Sequence, residues 1–147
     1  VEEGGPKLIR ATWRVPAGEA TADVMWRGNM MAALDPESGR VTRVIRGRGL
    51  ERKEMETHPD TGARLLGVQM PFWEETCALT LAAAASLPKL ALTGWDVSIT
   101  EKGPVLIELE PDGGDPAVTQ LASGEGLLNG AYGAFVERNR AKMKAKA

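Results

Sequence analysis

The sequence predicts an α+β fold: a mostly antiparallel sheet with helices packed against it. Three observations predict it. Short β-rich runs in the first half are separated by strong turn chemistry. One long stretch in the middle, PFWEETCALTLAAAASLP (71–88), carries helix start and stop signals. Two further runs, LALTGWDVSIT and PVLIELE, alternate apolar and polar residues around a turn short enough for a hairpin.

Taken in order, KLIRATWRV (7–15) reads as a strand broken by PAGEA, and TADVMW (21–26) as a possible hairpin partner. GNMMAALDPESGRVTRVIRG (28–47) reads as strand, tight turn, strand, because Pro36 presets φ and Gly39 closes the turn. GLERKEMETHPDTG (49–62) is polar and irregular, a surface loop, and ARLLGVQMP (63–71) has room for one short strand. In 71–88, Pro71 suits a first helical turn, Glu74 and Glu75 complement the positive helix end, and Pro88 marks the stop. After the hairpin, Asp115-Pro116 starts a short helix, and residues 126–147 form a last helix that turns basic toward its end. The expected packing sets the 71–88 and C-terminal helices on the sheet.

Composition bounds the function. The chain has 147 residues, 43% hydrophobic and 26% charged, with a net charge of −2, which fits a single domain with a true core. That charge gives no electrostatic case for nucleic acid as a partner. There is no apolar run long enough for a transmembrane helix and no signal peptide, so no membrane span is expected. The one cysteine, Cys77, cannot form an internal disulfide; it suits a cytoplasmic location and an inert place in a helix. One cysteine and one histidine, His58 in a loop, argue against structural zinc.

The carboxylates of the hairpin need an explanation. Asp96 shares a strand face with Ser98 and Thr100, and Glu108 and Glu110 share one with Leu106. Setting Val97 and Ile99 with Val105, Ile107 and Leu109 on the core side fixes the parity of pairing. A three-residue loop, Glu101-Lys102-Gly103, satisfies it and sets Asp96 across from Glu108, with Glu110 next along. Like charges across a sheet destabilise it, so a basic neighbour, a raised pKa or a divalent cation should compensate. Oxygen-only donors favour Mg²⁺ or Mn²⁺. The plain alternative is the solvated polar face of an antiparallel sheet.

An aspartate in a strand, a turn, and apolar residues leading to Glu-x-Asn is the metal hairpin of ATP-grasp enzymes, and GWDVSITEKGPVLIELE resembles it with Glu110 in place of the Asn. Together with LDPESGRV, HPDTGARLLGVQMPFWEE and the Gln-x-x-x-Gly-x-Gly-Leu-Leu pattern of QLASGEGLL, it resembles the sugar-transfer-associated ATP-grasp family, related to α-L-glutamate ligases. The likeness runs from about Leu8 to Arg140. It implies the C-terminal lobe of an ATP-grasp fold, with ATP and Mg²⁺ (or Mn²⁺) as cofactors and a carboxylate and amine pair as substrates joined through an acyl phosphate. It also implies Asp96, Glu108 and Glu110 as metal ligands, Arg10 as the strand arginine directed at phosphate or acyl phosphate, and Arg27 as a second such residue at the nucleotide. Lysines and an adenine-pairing linker have no counterpart before Leu8, so the N-terminal nucleotide lobe is expected to be absent from this chain and to be a partner. The rival expectation is a non-catalytic remnant serving as an interaction or regulatory module; a third is a bare cation-binding module.

Overall fold

The computed structural model describes residues 5–19, 27–47 and 49–144, the last four without their side chains; TADVMW (21–26) lies outside the described residues. Its larger sheet is antiparallel and four-stranded, in the order β1 (Ala11–Val15), β2 (Met30–Leu34), β3 (Val41–Arg46) and β4 (Lys53–Glu54). The second sheet is the hairpin of β5 (Gly94–Thr100) and β6 (Gly103–Glu110). The helices are α1 (Trp73–Ala85), α2 (Pro116–Ser123) and α3 (Gly130–Lys144). The fold is α+β, as expected.

The unbroken apolar run MMAAL makes β2 the centre of the molecule, because a strand buried on both faces has no polar position to spare. Met30, Ala32 and Leu34 join Val15, Val41, Val44 and Leu65 on one side, where Trp13 and Trp73 also pack. Met31, Ala33 and Ile45 face the other way, onto Ala122, Val118 and Leu121 of α2. The β2–β3 turn forms on the Asp35–Gly39 sequence that predicts it. Asp35 accepts from the Ser38 backbone N–H at 2.7 Å and from its hydroxyl at 2.6 Å, which holds the Asp35 carboxyl below its usual pKa. Gly39 has φ 70°, and a Cβ there would run into the Trp73 ring.

Several expectations change. The helix across the larger sheet is α2, while α1 packs on β6 and, among the described residues, α3 contributes none to either core cluster. In α2, the apolar Val118, Leu121 and Ala122 recur at the i, i+3, i+4 spacing of a buried helix face. The 49–62 stretch is not wholly irregular, since β4 pairs with β3 there. No strand forms in 63–71; Arg64 and Gln69 make isolated bridges to Thr57 and Arg40. Pro71 precedes α1 rather than entering its first turn, and the helix starts after Phe72 in a left-handed conformation (φ 53°).

Candidate functional site

The hairpin turn is one residue tighter than its sequence suggests. Thr100 pairs with Gly103, leaving only Glu101 and Lys102 in the loop. The Thr100 hydroxyl accepts from the Lys102 N–H at 3.1 Å and donates to the Gly103 carbonyl at 2.8 Å, a local turn of the kind Ser and Thr favour. This register pairs Val97 with Leu106, so Leu106 is half-buried while Val105 and Ile107 are exposed. The expected apolar face of β6 is thereby corrected. The physical reason is parity: shortening the loop by one residue exchanges the faces.

A β-bulge then restores the original parity. Between Val97 and Asp96 the register shifts, leaving Ile107 without a partner, and Asp96 lies across from Glu108 after all. Gly94 faces Glu110 at the next pair but one along the strand. The expected opposition of two carboxylates therefore holds, through two compensating departures. Among the described residues, no group of three or more His, Cys, Asp or Glu side chains is arranged to hold a metal ion.

Compensation for the two acids comes from a basic neighbour that sequence reasoning missed. Arg14 Nη1 donates to Asp96 Oδ2 at 3.2 Å, with side chains 41% and 38% exposed. The signal was available in period two. Arg10, Thr12 and Arg14 share one face, and Arg14 pairs with Met31, whose side chain points to the α2 side.

Arg10 sits elsewhere on that face. Its Nη2 donates to the Gly126 carbonyl at 3.2 Å and meets Glu125 Oε2 at 3.4 Å, tying β1's approach to the α2–α3 loop. Four residues of extended chain, about 13 Å, separate it from Arg14. Arg27 is exposed shortly before β2. From β3, Arg43 Nη1 caps the end of α2 by donating to the Leu121 and Ala122 carbonyls at 2.9 and 3.0 Å, while its other nitrogens hold Glu54.

These contacts give QLASGEGLL its structural meaning. Gln120 Oε1 accepts from the Leu127 N–H at 3.0 Å, and Gly124 takes the left-handed helix cap (φ 77°) close against Arg43. His58 is likewise a loop staple. Its Nε2 lies 2.7 Å from the Pro16 carbonyl and its Nδ1 accepts from the Asp60 N–H, which fixes the proton on Nε2.

A cleft of about 440 Å³ opens at the start of α1, and no residue of the hairpin lines it. Glu37, Glu74 and Glu75 line it, a wall ill suited to a polyphosphate. No helix among the described residues is long and apolar enough to cross a membrane.

The comparisons with known proteins bear on this geometry. The family model for sugar-transfer associated ATP-grasp matches residues 1–133. The chain belongs to that family. Membership brings ATP binding and a ligase-like fold. No curated protein and no solved structure matches the chain.

The donor set fits the divalent metal usual in ATP-grasp proteins. Asp96 and Glu108 offer oxygen only, at a cross-strand spacing of about 5 Å, and both reach solvent. Mg²⁺ is commonly held by one or two carboxylates, with substrate phosphates and water completing the octahedron. Two opposed carboxylates without a closed cage match that habit better than they match Ca²⁺ or Zn²⁺.

Proposed function

We propose that this chain is the metal-carrying lobe of an ATP-dependent, Mg²⁺-requiring carboxylate–amine ligase that acts through an acyl phosphate, in a cytoplasmic pathway linked to polysaccharide synthesis. The observation that carries this is the bulge-restored opposition of Asp96 and Glu108 in a chain of this family. Asp96 and Glu108 would hold the metal, with Glu110 in the third ligand position. When bound, the metal supplies charge neutralisation on the phosphate oxygens, which is most of what phosphoryl transfer asks of a protein.

The chain's own groups do the positioning. The bulge aims Glu108 at Asp96, and the two strands hold both carboxylates on a sheet rather than a loop. Arg10 is held by Glu125 and Gly126, so its action on a phosphate or acyl phosphate would be set by the α2–α3 loop. A guanidinium fork suits that anion. Lysines that hold the nucleotide would come from a further lobe acting as a partner to this one.

Two observations favour the second reading, a non-catalytic remnant serving as an interaction or regulatory module. Glu110 stands where the family hairpin has Asn, and no three-carboxylate cluster forms among the described residues. Calorimetry of Mn²⁺ binding with and without ADP separates the two. Nucleotide-dependent binding, weakened more than about tenfold in Glu108→Gln, supports the ligase lobe; tenfold is the lower end of what losing even a ligand's supporting partner costs. Binding indifferent to ADP would leave a cation module that needs another lobe for ATP. No binding by the folded chain would favour the remnant.

A further inference from the structure

We propose that Asn129–Gly130 is a self-modifying site, at which the folded chain converts Asn129 to aspartate and isoaspartate with water as its only reagent. The inference stands apart from the ligase reading. Asn129 and Gly130 are the one Asn-Gly pair in the sequence. Both are exposed, where the α2–α3 loop passes into the first residue of α3.

The reaction needs a side-chain amide at liberty and a backbone nitrogen able to reach it. The Asn129 backbone is tied, its N–H donating to the Gly126 carbonyl at 3.3 Å, but its side chain makes no hydrogen bond among the described residues. The other two asparagines are occupied. Asn29 is buried, with Oδ1 accepting from the Ala17 N–H at 3.1 Å, and Asn139 Nδ2 donates to the Phe135 carbonyl at 2.8 Å. Gly130 opens α3, and the first N–H groups of a helix have no carbonyl within it to bond. The same helix end carries partial positive charge, which favours both the nitrogen anion that attacks and the carboxylate that results. Gly130 has φ 64°, and a Cβ there would meet nothing within 4 Å, so ring closure is uncrowded.

In the first step the Gly130 nitrogen gives its proton to solvent and bonds to Asn129 Cγ. The Cγ–Nδ2 bond breaks, and ammonia leaves after taking a proton back. Water then opens the succinimide at either carbonyl. One opening leaves aspartate; the other leaves isoaspartate, with the main chain longer by a methylene. Each adds a carboxylate beside the turn in which Glu125 and the Gly126 carbonyl hold Arg10.

The wild-type chain is kept in mildly alkaline buffer and sampled over weeks, with each asparagine followed by mass-spectrometric peptide mapping. Asn129 should convert about tenfold faster than Asn139 or more, a barrier difference of about 1.4 kcal/mol. An acidic species should grow in step on ion exchange, and Asn129→Gln, whose longer arm must close a larger ring, should lack it. Conversion of Asn129 no faster than that of Asn139 overturns the proposal. So does conversion seen only after unfolding in urea, because the fold would then shelter the pair. The comparison among asparagines is made within the wild-type chain, so it decides even if Asn129→Gln fails to fold.

Discussion

In the four-stranded sheet, β2 is closed to solvent on both faces, whereas in the hairpin Val105 and Ile107 stand 47% and 65% exposed. The same antiparallel pairing serves both. The difference lies in what covers the strands. β2 has α2 on one side and Leu65, Met70 and Trp73 on the other; the hairpin has α1 against β6 and the Arg14–Asp96 pair. A two-stranded hairpin is marginal by itself, so β5 and β6 depend on borrowed support. The rigid scaffold and the chemistry-bearing carboxylates thus occupy different sheets, which lets the site adjust without disturbing the core.

Three substitutions test that division, in falling order of effect. Met31→Ala empties a position 1% exposed between β2 and α2, and should lower unfolding stability by roughly 2–5 kcal/mol in urea melts. A loss under about 1 kcal/mol would mean the sheet is no better packed than the hairpin. Asp35→Asn should have a smaller effect, confined to pH. The Asp35 carboxyl is held below its ordinary pKa, first by the Ser38 hydroxyl and then by the Ser38 amide. Its contribution is therefore present above the unfolded-state carboxylate pKa and lost as pH falls through the depressed folded value. Melts of wild type and Asp35→Asn should differ at neutral pH and converge in acid. The hairpin's own turn is built on the neutral Thr100 hydroxyl and should show no such dependence. Ile107→Thr should come smallest, within about 0.5 kcal/mol of wild type, because the side chain is exposed and its backbone unpaired. A large loss there would mean that Ile107 is covered in solution.

Much of this was legible beforehand. The Asp35–Gly39 turn, the helix in 71–88 and the cap at Asp115, which accepts from the Ala117 N–H at 2.8 Å, follow from local chemistry that tertiary contacts do not override. The opposition of Asp96 to Glu108 followed from parity, although the loop was one residue too long in that reasoning and the bulge went unseen. A bulge has no compositional mark when its extra residue is an isoleucine among apolar neighbours. The strand β4 was illegible because two residues cannot display a period. Arg14 was legible in principle, being on the face of Arg10, but only the fold brings β5 to its end of β1. The choice of α2 over α1 as the sheet's covering helix turned on spacing. Val118, Leu121 and Ala122 make one stripe, whereas apolar residues surround α1 on most sides.

The unpaired Ile107 has a practical corollary. Because the tight turn and the bulge cancel, the tip of the hairpin is geared separately from its base. A residue added or removed at Glu101-Lys102 can be taken up where the ladder is already broken, before the change reaches Asp96 and Glu108.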